Sequence, residues 1–321
     1  MALLNNWRTS PRLAAFSLVG VAAVWGSTFI VVQEAVSHMP VMDFLAIRFS
    51  IATLVLFILQ PKCIRGLSQL GLSRAVGLGL VLGLAYITQT FGLQHTSAAV
   101  SGFITGLFVV LTPLLSALLL RRHINRNVWI AVIMATAGLA LLSLNGWSIG
   151  MGEILTLLCA LFFALHIVGL GEWSSRHDVY SLAVVQIGFV AILSLAFALP
   201  DGLTLPPDAV TWGAVMLTAV LATAAAFFIQ TWAQSLISPS RTAIIITMEP
   251  AFGGLFAVLF AGELITIRLI TGGALVLGAM LLTELKQKLP PAGPQTIGIA
   301  GEEALNCPDA EITEPGRINT V

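Results

Sequence analysis

Long apolar runs bounded by Arg, Lys, Pro or polar clusters recur along the chain. The first five cover 13–32, 42–60, 74–93, 97–120 and 128–144, and five more cover 153–171, 179–199, 210–234, 242–261 and 267–283. A helix rises about 1.5 Å per residue, so each run is about long enough to cross a hydrocarbon layer of roughly 30 Å. None alternates polar with apolar residues, as a barrel strand must. The pattern predicts an all-α integral membrane protein of ten transmembrane helices. Arg8 and Arg12 precede a first run that is longer than a signal-peptide core and lacks a small-residue cleavage pattern, so it is read as a retained helix.

A shift of 141 residues carries Gln89-Thr90 onto Gln230-Thr231 and lays each of the first five runs on one of the second five. The chain therefore reads as one unit written twice, with repeats over 12–145 and 150–285. Five helices per copy is an odd number, so the second copy is expected to be inverted. Residues 1–11 form a short amino-terminal segment. From 289 to 321 the composition turns to Pro, Gly, Asn, Glu and Asp, which predicts a disordered tail.

Composition sharpens this picture. Apolar residues make up 57% of the chain and charged residues only 9%, which excludes a water-soluble globule. Fifteen basic and fifteen acidic residues cancel, so no net field favours nucleic acid. With the amino terminus inside, 13 of the 15 basic residues fall in cytoplasmic segments, leaving Arg268 outside and Arg48 within the second run. The positive-inside rule thus predicts a multi-pass protein of the cell (inner or plasma) membrane with both termini cytoplasmic. Cys63, Cys159 and Cys307 are isolated from one another, and there is no CxxC pair, HExxH or phosphate loop. No metal, cofactor or ATP-driven chemistry is expected.

The few polar groups at membrane depth then carry the chemistry, because an ionisable side chain there costs about 2.5 kcal/mol or more unless it faces protein or water. Glu249 stands beside Pro250, which removes a backbone donor and opens the helix locally. Its carboxyl is placed to bind a cationic solute or carry a proton, or else to fix helix packing. Arg48 has Phe189 as its mate across the repeat, so it either pairs with Asp43, Glu34 or a helix C-terminus or attracts an anionic part of a solute. His166 is the register mate of Trp25 and is expected to serve as an interhelical hydrogen-bonding group, or else in proton exchange or ligand stacking. The matched amides Gln89 and Gln230 are placed near a central cavity, and Pro113 and Pro250 are the kink candidates.

Several segments carry a resemblance. Trp25-Gly26-Ser27-Thr28-Phe29, Asp43 through Arg48-Phe49 with Ile51-Ala52, Thr96-Ser97-Ala98 followed by Phe103-Ile104-Thr105-Gly106-Leu107, and Met248-Glu249-Pro250 with Gly262-Glu263 are similar to the drug/metabolite transporter superfamily, in its EamA-type ten-helix exporter branch. One departure is that Arg121-Arg122 stands where the second copy has Gly262-Glu263. The resemblance implies two inverted five-helix repeats around a substrate cavity, and the candidates for its wall read from the sequence are Trp25, Arg48, Gln89, His166, Gln230 and Glu249. It further implies secondary export of small metabolites, amino acids or drugs by alternating access. The partners are then a small organic solute, protons for coupling and the bilayer, with oligomeric state left open. The alternatives are a membrane enzyme acting on a lipid-linked substrate, and a channel.

Overall fold

Local chemistry sets where the helices begin. Ser10 accepts a hydrogen bond from the Leu13 N–H at 3.3 Å and Pro11 fills the first turn, so α1 (Pro11–His38) starts there. Ser68, Asp178, Asp208 and Ser238 cap four later helices in the same way. The computed structural model describes residues 10–61, 67–96, 98–121, 124–143, 150–249, 251–253, 255–256 and 267–285. Among these, every regular element is helical.

After α1 come α2 (Val41–Leu59), α3 (Gln69–Leu93), α4 (Ala98–Gly106), α5 (Phe108–Leu120) and α6 (Arg126–Ser143). The second half holds α7 (Met151–Trp173), α8 (Val179–Ala198), α9 (Ala209–Ala219), α10 (Ala226–Gln234), α11 (Pro239–Ile246) and α12 (Ile267–Leu285). A single π-helical stretch, Val220–Ala225, joins α9 to α10.

Among the described residues, seven helical segments are long and apolar enough to cross a membrane: Pro11–His38, Val41–Leu59, Gln69–Leu93, Val100–Leu120, Met151–Trp173, Val179–Asp201 and Ala209–Gln234. The chain is thus a multi-pass membrane protein. The other three predicted runs also carry helices, but these do not qualify among the described residues. In α12, Ile270–Ala279 is the apolar stretch found among the described residues. The ninth run is cut at a turn over Thr247 and Met248, and 257–261 lie outside the described residues, as do Pro250, Arg122, Gly262-Glu263, 1–9 and the predicted tail.

Small residues bring the helices together. A Cβ on Gly79 of α3 would lie 2.7 Å from the Gln186 carbonyl oxygen of α8, and one on Gly138 of α6 would lie 2.7 Å from the Gly272 carbonyl oxygen of α12. Both backbones therefore approach as only glycine permits. Helix contacts come in pairs related by the 141-residue shift. α2 packs on its own mate α8, and α6 on its mate α12. The α3–α7 contact is matched by α1–α10, and α4–α7 by α1–α11. The main core runs through Phe44, Phe49, Tyr86 and Phe227, and the last two are themselves register mates whose rings meet edge to face at 5.9 Å.

Candidate functional site

Two helix interruptions frame the middle of the molecule. The fourth predicted run breaks at Leu107, between α4 and α5, and the ninth breaks at Thr247–Met248, after α11. Leu107 and Met248 are register mates. A proline at 250 has no N–H for the Ile246 carbonyl, which accounts for the end of α11 at that residue. In the first copy the interruption sits upstream of Pro113, and α5 continues helically through that proline.

Between these breaks lies a cavity of about 50 Å³, space for a few waters. Its wall combines Trp25, Phe29, Tyr86, Phe108 and Phe163 with Arg48, Gln89, Thr105, Gln230 and Glu249. Five of the six cavity residues named from sequence, Trp25, Arg48, Gln89, Gln230 and Glu249, line it together. The sixth, His166, stands behind the wall: its Nε2 meets Gln186 Oε1 at 2.7 Å, and its ring lies edge-on to Phe227. Gln186 in turn donates to Thr231 Oγ1 at 3.0 Å, which makes His166 part of an interhelical chain.

Arg48 is held by the π-helical stretch. A π turn bonds each N–H one residue farther back than an α turn, which leaves carbonyls and side chains differently presented. Here Thr223 donates its hydroxyl to the Thr218 carbonyl at 2.8 Å and accepts from Arg48 Nε at 2.8 Å. One residue earlier, the Ala222 carbonyl accepts from Trp25 Nε1 at 2.7 Å. The guanidinium lies 4.8 Å above the Tyr86 ring, in cation–π range. Among the described residues Arg48 makes no ion pair. Asp43, expected as its partner, accepts from the Thr204 backbone N–H at 2.9 Å, and Glu34 lies near His38. The reason is geometric: the side chain turns inward, so it is 3% exposed and points away from the end of α1.

Glu249 is 8% exposed, and no ion pair joins its carboxylate to another described residue. Its backbone is packed against α1, where a Cβ on Gly26 would overlap the Glu249 carbonyl oxygen. Gln89 Nε2 approaches Thr105 Oγ1 at 3.4 Å, and Gln230 Nε2 donates to Gln234 Oε1 at 3.1 Å, leaving Gln230 Oε1 buried without a partner. Such an orphaned acceptor favours a donor from a bound solute or water. Among the described residues no group of three or more His, Cys, Asp or Glu gathers as a metal site would.

Sequence reasoning did not single out Tyr86, Thr223 or Thr105. Tyr86 was findable, being one of only two tyrosines and one helical turn before Gln89.

Comparisons with known proteins agree with this architecture. The profile of the EamA-like transporter family matches the chain twice, over 12–144 and 150–285. An uncharacterized transporter of Archaeoglobus fulgidus is 33% identical over 274 residues, covering 85% of this chain and 86% of that protein. The uncharacterized transporter YetK of Bacillus subtilis is 25% identical, covering 88% and 89%. The pseudopaline exporter CntI of Pseudomonas aeruginosa is 22% identical over 259 residues, covering 80% and 90%. A solved crystal structure superposes with a TM-score of 0.70 at 18% identity, covering 84% of this chain and 96% of that one, which speaks for the fold alone.

Proposed function

The chain belongs to the EamA-like transporter family, and from that premise we propose that it is a secondary exporter of small organic solutes working by alternating access. Its ten helices would form two inverted five-helix repeats in the cell membrane, with both termini cytoplasmic. The observation that carries this reading is the placement of Arg48 and Glu249 on one buried cavity, between helix breaks at the equivalent positions Leu107 and Met248. Interrupted helices at matching points of two halves are what a midplane solute site requires, because only there can unpaired backbone be lined by water. Register-paired helix contacts and the double family match support the internal duplication.

The cavity holds only a few waters as it stands, so binding a metabolite requires the halves to move apart on one side. Two nearly equivalent halves make the opposite opening similar in energy, and rocking one against the other exposes the site alternately. A proton and a solute cation compete for the single Glu249 carboxylate. That competition couples solute movement outward to proton movement inward without any further machinery.

Transport by purified protein in sealed vesicles tests the proposal. Saturable flux that is accelerated by unlabelled solute on the far side is expected, whereas ohmic conductance would mean a channel and chemically altered product an enzyme. Glu249→Gln is expected to abolish flux driven by a proton gradient while leaving expression and folding intact. Gradient-driven flux retained in that variant would remove Glu249 from coupling.

A further inference from the structure

Away from the cavity, a polar corner joins the two halves. Arg74 lies about 9 Å along α3 from its Ser68 cap. Its Nη1 meets Nε2 of His177, in the turn between α7 and α8, at 3.1 Å. Its guanidinium carbon is 5.6 Å from the centre of the Trp173 ring at the end of α7, in cation–π range. The start of α3 comes so near that turn that a Cβ on Gly71 would lie 3.0 Å from His177 Nδ1. Close backbone packing therefore fixes where Arg74 sits.

The charges of this corner do not balance. Arg176, exposed in the same turn, pairs with Glu172, and Asp178 caps α8. Arg74 touches only an imidazole nitrogen and an indole face, and among the described residues no carboxylate lies within ion-pair distance of it. The internal repeat supplies a contrast. The mates of Arg74, Trp173, Arg176 and His177 are Val215, Val32, Ala35 and Val36, all four buried in one apolar cluster. In the inverted arrangement proposed above those mates stand at the opposite membrane face. The cationic corner thus belongs to one face alone, the one that the proposed orientation makes cytoplasmic, where anionic phospholipids attract basic residues. Beside Arg74 the surface of α3 is open: the space that a Cβ on Gly77 would enter is free, and Leu80, one turn deeper, is exposed.

We infer that this corner binds an anionic phospholipid of the cytoplasmic leaflet, with Arg74 receiving the phosphate, Arg176 adding positive field, and an acyl chain lying over Gly77 and Leu80. A guanidinium offers a planar pair of donors that matches phosphate oxygens, and an indole ring suits the boundary between headgroups and chains. A free phosphate anion offers the same oxygens but nothing for the apolar strip on α3, so the lipid is the favoured source. The bound headgroup braces the start of α3 against the α7–α8 turn, across the two halves. Which leaflet supplies the lipid rests on the proposed orientation; the binding itself does not.

Matched lipids decide it. Delipidated full-length protein in detergent is titrated with phosphatidylglycerol, with phosphatidylcholine of the same acyl chains, and with inorganic phosphate. Retained lipid is read by native mass spectrometry, and the melting temperature is followed alongside. Phosphatidylglycerol is expected to bind on the order of tenfold more tightly than phosphatidylcholine, the range of one charged hydrogen bond. It should also raise the melting temperature by about 2–4 °C more, while inorganic phosphate leaves it unchanged. Arg74→Gln should remove the preference and Arg74→Lys keep part of it. Arg126→Gln, at an exposed cation that starts α6, should leave it whole. Equal binding of the two lipids by the unmodified protein overturns the inference, as does a loss in Arg126→Gln as large as that in Arg74→Gln. Equal stabilisation by inorganic phosphate overturns it too, because the site would then take a free anion. These readouts involve neither solute nor flux. A reporter fused to a terminus and found outside would overturn the orientation and leave the binding result standing.

Discussion

At the residue scale, the site depends on one close approach and one inward-turned cation. Gly26 lets α1 touch the backbone at Glu249, and any Cβ there would overlap that carbonyl oxygen. Backbone cannot yield as a flexible side chain does, so Gly26→Ala is expected to lower stability by about 1–3 kcal/mol, the usual cost of overpacking, seen as a lower melting temperature in detergent. His177 stands outside the spanning segments, between α7 and α8, and Arg74 Nη1, near the start of α3, lies 3.1 Å from its Nε2, a hydrogen bond that needs the neutral ring. Partial burial, then the Arg74 and Arg176 charges, lower the His177 pKa. The unfolded chain then binds more protons than the folded one, so this contribution is lost as pH falls below about 6.5. Melting curves between about pH 5 and 8 should show a loss on the acid side that His177→Gln reduces. Arg48, Gln89, Gln230 and Glu249 were legible in the sequence because polar groups within long apolar runs need a reason to be there. The partner of Arg48 was not, because a threonine hydroxyl in a distant helix leaves no trace in local pattern.

At the element scale, the apolar runs foretold where helices form but not where they change character. The ninth run was read as one helix, yet it is interrupted at Thr247–Met248, and the fourth is interrupted at Leu107 with no proline at that point. The π-helical stretch Val220–Ala225 is equally silent in composition, since Val, Leu, Ala and Thr suit an α-helix there as well. Its worth is in what it presents: a carbonyl for Trp25 and a hydroxyl for Arg48. Thr223→Val keeps the shape but removes the acceptor, leaving a buried guanidinium N–H unpaired at a cost of about 1–3 kcal/mol. The expected result is a lower melting temperature together with weaker solute binding. Unchanged values for both would mean that the π-helical stretch does not position Arg48.

On the scale of the whole molecule, the repeat read from hydropathy register has a structural counterpart in paired helix contacts and in the edge-to-face contact of the register mates Tyr86 and Phe227. Two charges then break that symmetry at the centre, so the scaffold supplies the motion and the exceptions supply the chemistry. A symmetric pair of halves has two openings of similar energy, and the same residues must face each side in turn. Gln89 lines the cavity and is suited to report this. With Gln89→Cys in a background whose native cysteines are replaced, a membrane-impermeant thiol reagent should label the protein in sealed vesicles when added from either side, and solute should slow labelling from both. Labelling from one side only, whatever the direction of the solute gradient, would contradict the account.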